Sequence, residues 1–191
     1  DGQRPPAVYA LDDSSRTIFL GTFSKSIAPA LRVGYVVAPW SVLSRMLACK
    51  TDAGSGALEQ MVLGEYCPRH FDAHVARLNK LLKAKLDVLV DALNEQFGTA
   101  AEFALPKGGI FLWVKLPGAV DTTRLVQIAN AEQVAVNPGA EWSIEGDGAQ
   151  RAIRICYANP SADTIREGVA QLAAICHREF GVPTHIANVG Q

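Results

Sequence analysis

The chain has 191 residues, and its 18 basic and 19 acidic side chains leave a formal charge of −1, which gives no overall field to recruit nucleic acid or an anionic membrane. About half of the residues are apolar and about a fifth charged, enough for a globular core, and no apolar run is long enough to span a bilayer. Basic residues are dispersed, no low-complexity tract occurs, and the opening DGQRPPAVYALDDSS lacks the zones of a signal peptide. The four cysteines (Cys49, Cys67, Cys156, Cys176) are far apart and form no CxxC pair, so free thiols in a cytoplasmic protein are expected, with Cys156 and Cys176 buried.

In chain order, Thr17–Gly21 and Arg32–Ala38 are short apolar runs of the kind that form strands buried on both faces in α/β proteins. Pro39 closes the second, and Ser41 is placed to cap a helix carrying Val42, Leu43 and Met46. After the Asp52–Gly56 loop, a short helical stretch runs to about Tyr66, and Pro68 opens a long helix to about Phe97. Its stripe of Phe71, Val75, Leu78, Leu82, Leu86, Leu89, Leu93 and Phe97 has helical spacing, and Gly98 is a natural stop.

The character then turns to β. Ala101–Leu105 and Gly109–Leu116 read as strands around a Pro106-Lys-Gly-Gly turn, and Thr122 or Thr123 opens a helix through Ala131. Val134–Val136 reads as a short strand, Glu145–Gly148 as a polar loop and Ala152–Tyr157 as a strand. Ser161 caps a last helix with the stripe Ile165, Val169, Leu172, Cys176 and Phe180, and the tail from Gly181 is expected to be loosely held. Two strands near the start cannot bury both their faces unaided, so the chain is expected to be part of something larger or to assemble with a partner.

The chemistry concentrates in Gly21-Thr-Phe-Ser-Lys-Ser-Ile-Ala-Pro-Ala-Leu-Arg32. A lysine at the end of a strand, partly withdrawn from water, becomes a nucleophile towards a carbonyl. Flanking hydroxyls at Thr22 and Ser24 and a guanidinium at Arg32 suit a phosphate dianion. An amine beside a phosphate cradle is what a phosphorylated aldehyde cofactor requires. A P-loop is rejected, because Phe19 and Ser24 stand where that pattern needs glycine and Pro29 interrupts the helix that should follow. Cys67, His70 and His74 have loose metal-ligand spacing without a fourth ligand and are read as ordinary helix-face residues, so no metal is expected.

The segment GTFSKSIAPALRVGYVVAP strongly resembles the cofactor-lysine segment of fold-type I, class I/II pyridoxal-phosphate-dependent aminotransferases, nearest the 2-aminoadipate and aromatic aminotransferase branch. The resemblance continues in order through His74-Val-Ala-Arg-Leu78, Pro106-Lys-Gly-Gly-Ile-Phe-Leu-Trp113, Asn137-Pro-Gly-Ala-Glu-Trp142 and Ile153-Arg-Ile-Cys-Tyr157. It implies an α/β fold made of the end of the large-domain sheet (1–66), an interdomain helix (67–98), the C-terminal α/β small domain (99–180) and a tail (181–191). It also implies that Lys25 holds pyridoxal 5'-phosphate as an aldimine and then moves protons on the substrate carbon. Arg32, Ser24 and Thr22 would grip the cofactor phosphate. Arg154 would pair with the substrate α-carboxylate, and Gly108 and Gly109 would let backbone approach the substrate.

The implied substrates are an α-amino acid and a 2-oxo acid, and the implied assembly is a homodimer, with no nucleic acid and no membrane as partner. The resemblance also implies that an earlier half supplies the acidic partner of the pyridine nitrogen, the ring-stacking aromatic and the rest of the phosphate loop. Trp142 stands where tyrosine or phenylalanine is usual, and Leu82 where tyrosine is usual. Two other readings stay open: an aminotransferase-like effector domain of a winged-helix regulator, and a truncated domain without cofactor.

Overall fold

The structure is a computed structural model that describes residues 5–52, 54–144 and 149–183. The expected Glu145–Gly148 loop and the tail beyond Pro183 lie outside the described residues. The chain divides into two compact units, Asp1–Leu78 and Asn79–Gln191, with the division inside one long helix.

The first unit opens with a single helical turn, α1 (Val8–Leu11), that the sequence pattern does not show. Asp12 then organises the approach to the first strand, accepting from the Thr17 hydroxyl at 2.6 Å, the Thr17 amide at 2.9 Å and both donors of Ser14. These bonds hold its carboxyl well below the usual carboxylate range. β1 (Phe19–Thr22) and β2 (Gly34–Val37) follow, paired antiparallel with Phe19 opposite Val37 and Thr22 opposite Gly34. On one face Tyr35 lies over Gly21, where any Cβ would meet its ring, and stacks between Phe19 and Phe23 at 6.0 and 5.6 Å.

The expectation of strands buried on both faces is not met. Leu20 is 71% exposed, and Ile18, Tyr35 and Val37 are also exposed, so the described unit leaves much of both faces of the hairpin open. α2 (Trp40–Cys49) starts one residue before Ser41, with Pro39 at its N-cap position, so the expected serine cap does not form.

α3 (Ala57–Phe97) is a single helix of 41 residues with Pro68 inside it. The sequence places a helix start at Pro68, where the missing N–H would cost nothing, and the structure instead carries the proline within the helix. Only the later half of the stripe is deeply buried, at Leu86, Leu89, Leu93 and Phe97, whereas Phe71, Val75, Leu78 and Leu82 are half-buried.

The second unit wraps that half-helix with β3 (Phe111–Lys115), α4 (Thr122–Ala131), β4 (Asn137–Pro138), β5 (Ala152–Cys156) and α5 (Ala162–Phe180). The sheet is antiparallel in the order β3-β5-β4. Leu112, Val114, Ile153 and Ile155 point from one face into a core shared with Leu89, Leu93, Phe97, Leu125, Leu172 and Ile175. Asp121 caps α4 by accepting from the amides of Thr123 and Arg124, and Ser161 caps α5 through the amide of Thr164 as expected. Gly181 ends α5 in the left-handed conformation, and the amide of Val182 bonds back to Cys176. Val182 itself is buried, so the last helix is tied down beyond the position where a loose tail is expected.

Two expected strands are not strands. Ala101–Leu105 contributes one bridge, Glu102 to Lys115, and Val134–Val136 gives way to the two-residue β4 just after it. Proline and glycine at 138 and 139 end pairing there, since proline donates nothing to a ladder. Cys176 is buried as expected, but Cys156 is exposed, because its parity on β5 turns it away from the core.

Candidate functional site

In the first unit the end of the hairpin gathers the residues singled out in the sequence. The amide of Phe23 donates to the Val33 carbonyl at 3.2 Å and extends the ladder by one rung, so Ser24 and Lys25 leave β1 at the end where Arg32 enters β2. The amides of Ile27 and Ala28 both turn back to the Phe23 carbonyl, at 2.9 and 3.2 Å, and fold residues 23–28 into a tight loop that carries Lys25. The Thr22 hydroxyl lies 3.0 Å from the Ser24 hydroxyl and accepts from the Ser24 amide at 3.1 Å, which fixes two oxygens side by side.

Arg32 follows the 3-10 turn Pro29–Leu31 and has φ +52 and ψ +32, a left-handed conformation rare outside glycine. Its amide and its Nη1 both donate to the Pro29 carbonyl, at 3.3 and 3.1 Å. Strain of this kind costs about 1–3 kcal/mol and collects at ligand-holding positions. Lys25 and Arg32 are both exposed, which corrects the expectation of a lysine partly withdrawn from water. Neither side chain is covered by another element of its unit.

In the second unit, Arg154 lies on the sheet face opposite the core, opposite Trp113 on β3 and Asn137 on β4. Its Nη2 donates to the Asn137 Oδ1 at 3.4 Å. Its Cζ lies 4.0 Å from the centre of the Phe111 ring and 3.2 Å from that of Trp142. The Nε–H is buried and has no acceptor among the described residues. A buried donor without an acceptor costs about 1–3 kcal/mol, so a further acceptor at this N–H would be favoured.

The Pro138-Gly139 pair leads into the 3-10 turn Gly139–Trp142 that brings Trp142 to this place. Gly139 packs so closely that a Cβ would lie 2.6 Å from the Ala149 carbonyl and 2.7 Å from that of Ala152. Gly108 and Gly109 sit in the exposed turn before β3, and Gly109 has φ +97. Space is open around both positions, so Gly109 is required by its backbone conformation, and nothing in the described residues demands glycine at 108. The buried Tyr157 donates to the Gly109 carbonyl at 2.8 Å and pins that turn.

Lys25, Ser24, Thr22 and Arg32 therefore share one hairpin end, whereas Arg154, Gly108 and Gly109 belong to the other unit. Asn137, Phe111 and Tyr157 have no role in the sequence reading. Strand parity could have placed Phe111 and Arg154 on one face, but Asn137 needed the sheet register and Tyr157 its hydroxyl contact. The discounted His74 has its Nδ1 3.1 Å from the Tyr66 hydroxyl.

The aminotransferase class I and II family matches residues 2–172. An uncharacterised aminotransferase of Saccharolobus solfataricus is 30% identical over 183 residues, which is 94% of this chain and 45% of that protein. The HTH-type transcriptional regulator NorG of Staphylococcus aureus is 29% identical over 171 residues, 87% of this chain and 38% of that protein. The crystal structure of the multiple substrate aminotransferase of Thermococcus profundus superposes with a TM-score of 0.85 at 31% identity, covering 95% of this chain and 45% of that one. The α-aminoadipate aminotransferase LysN of Thermus thermophilus, complexed with N-(5'-phosphopyridoxyl)-L-leucine, gives a TM-score of 0.83 at 29% identity, covering 92% of this chain and 46% of that one. The chain spans less than half the length of these relatives. With the family matched along nearly the whole chain and its fold shared with solved aminotransferases, this protein belongs to the class I and II aminotransferases.

Proposed function

We propose that the protein is a pyridoxal-phosphate-dependent aminotransferase that moves an amino group between an α-amino acid and a 2-oxo acid. The observation that carries this reading is the hairpin end, where one amine, two adjoining hydroxyls and a guanidinium on a left-handed residue leave the two strands together. The residues present fit the cofactor. The Ser24 hydroxyl, held by the Thr22 hydroxyl, and the Arg32 guanidinium offer donors to a phosphate dianion, and Lys25 offers an amine to an aldehyde.

Pyridoxal phosphate, when bound, supplies the aldehyde that takes up the amino group and the ring that spreads the electron pair left on the substrate carbon. The Lys25 amine serves as the base and acid that removes and returns a proton at that carbon. Arg154 holds the substrate carboxylate by a charge-assisted fork and orients the C–H bond. The open turn at Gly108 and Gly109 leaves backbone free to approach the substrate. A homodimer in the cytoplasm is part of this reading, as is the division into the end of the large domain (1–66), an interdomain helix (67–98) and a small domain (99–180).

The test is borohydride reduction of the protein, expressed from its complete gene, after loading with pyridoxal phosphate. Peptide mapping should place the label on Lys25, and Lys25→Ala should lose both label and transamination. Label on other lysines with Lys25 untouched would sink the reading. The match to NorG favours a second reading, a ligand-sensing domain of a transcription regulator. A basic winged helix encoded upstream, with tight ligand binding and no turnover, would select that alternative.

A further inference from the structure

We propose that Trp142 is a positioning residue for the substrate carboxylate and acts through Arg154; this rests on Arg154 being the carboxylate-binding arginine. A guanidinium recognises a carboxylate through its in-plane N–H edges, while its flat faces can only stack. Here the Cζ lies over two rings, with Trp142 at 3.2 Å closer than Phe111 at 4.0 Å. Both rings touch the guanidinium without using any of its donors. Asn137 takes one Nη2 hydrogen at 3.4 Å, and the buried Nε–H has no acceptor among the described residues.

The indole is itself held in place. Its turn begins at Gly139, whose close approach to the Ala149 and Ala152 carbonyls ties it to the strand that carries Arg154. Trp142 is nevertheless 52% exposed. The ring therefore meets Arg154 while about half of the side chain stays open to water. Without the indole the guanidinium gains rotamer freedom, which an incoming carboxylate must then remove. The ring also keeps water from one side of the charge, and indole is the strongest of the aromatic partners for a cation.

The experiment compares wild type, Trp142→Ala and Trp142→Phe, each expressed from the complete gene and loaded with pyridoxal phosphate. The amino donor is whichever of the twenty protein amino acids gives the fastest turnover with 2-oxoglutarate or pyruvate. Trp142→Ala should raise KM for that donor on the order of tenfold with kcat little changed, and Trp142→Phe should recover most of the loss. An unchanged KM in Trp142→Ala, or a phenylalanine variant as impaired as alanine, would overturn the proposal.

Phenylglyoxal labelling, read by mass spectrometry at each arginine, gives a measure independent of turnover. Arg154 should react several-fold faster in Trp142→Ala than in wild type, while the rate at Arg32 stays the same. Equal rates at Arg154 mean that the indole does not hold the guanidinium, and the proposal fails. No turnover with any donor sinks the proposed function instead, and the labelling rates still decide whether Trp142 holds Arg154.

Discussion

A glycine between a proline and an alanine looks like loop filler until its neighbours are measured. At Gly139 the three nearest contacts of an added Cβ are the Ala149 carbonyl, the Ala152 carbonyl and the Ala152 Cβ, all within 2.8 Å. Two are backbone atoms, so the strain has no soft outlet. Gly139→Ala should destabilise the protein by about 1–3 kcal/mol, read as a lower denaturation midpoint at unchanged slope. An unchanged midpoint would show that the turn can move away from β5. Cys176 makes the second prediction at this scale. Burial pushes its thiol up to about 12, well above the ordinary range of a thiol. The folded state therefore holds the proton more tightly than the unfolded one, and the stability that this gives is complete below about pH 9 and lost as pH rises towards 12. Compared with Cys176→Ala, the wild type should lose up to about 1.4 kcal/mol per pH unit in that window. Parallel pH profiles would contradict this. A thiol reagent at neutral pH should also find the exposed Cys49 and Cys156 well before Cys176.

At the scale of elements, α3 carries the sharpest departure from local rules. Pro68 lacks the N–H that would donate to the Gly64 carbonyl, and its ring crowds that carbonyl. The sequence reading resolves the conflict by starting a helix at Pro68. The structure resolves it by absorbing the proline, with helical turns on both sides to carry the cost. Pro68→Ala should stabilise the protein, by at most about 3 kcal/mol, and raise the helical circular-dichroism signal. A loss of stability would mean that the proline ring itself makes contacts the fold needs. The small sheet teaches the complementary lesson. Alternation along β3 and β5 separates Leu112, Val114, Ile153 and Ile155, which face the core, from Phe111, Trp113 and Arg154 on the other face. That period is legible in the sequence, whereas the pairing that brings Asn137 beside Arg154 is not.

For the molecule as a whole, the contrast lies between the two units. The second has a continuous core, while the first leaves Leu20, Trp40, Leu58 and Met61 each about 70% exposed. So many large apolar side chains open to water are surface that a partner or further chain would be expected to cover. A polypeptide of these 191 residues alone should self-associate as its concentration rises, measured by light scattering after gel filtration. It should also bind pyridoxal phosphate weakly and transaminate negligibly, since its unit leaves Lys25 and Arg32 open to water. Robust turnover by that polypeptide would refute the expectation.

Chemistry and periodicity in the sequence by themselves brought the amine, hydroxyls and guanidinium around Lys25 together as a candidate group, and determined the later stripe of α3 and the Ser161-capped helix with its buried face. These depend on contacts within a few residues or on one helical period, so local order suffices to specify them. The resemblance added Arg154 and the glycine pair, which spacing alone does not single out. Tertiary structure decided what depends on distant partners. It turned Cys156 outward, reduced Val134–Val136 to the approach to β4, left the hairpin of β1 and β2 uncovered, and set the guanidinium of Arg154 against Phe111 and Trp142. Pairing register and burial are relations between segments far apart in the chain, and no window of sequence contains both sides of them.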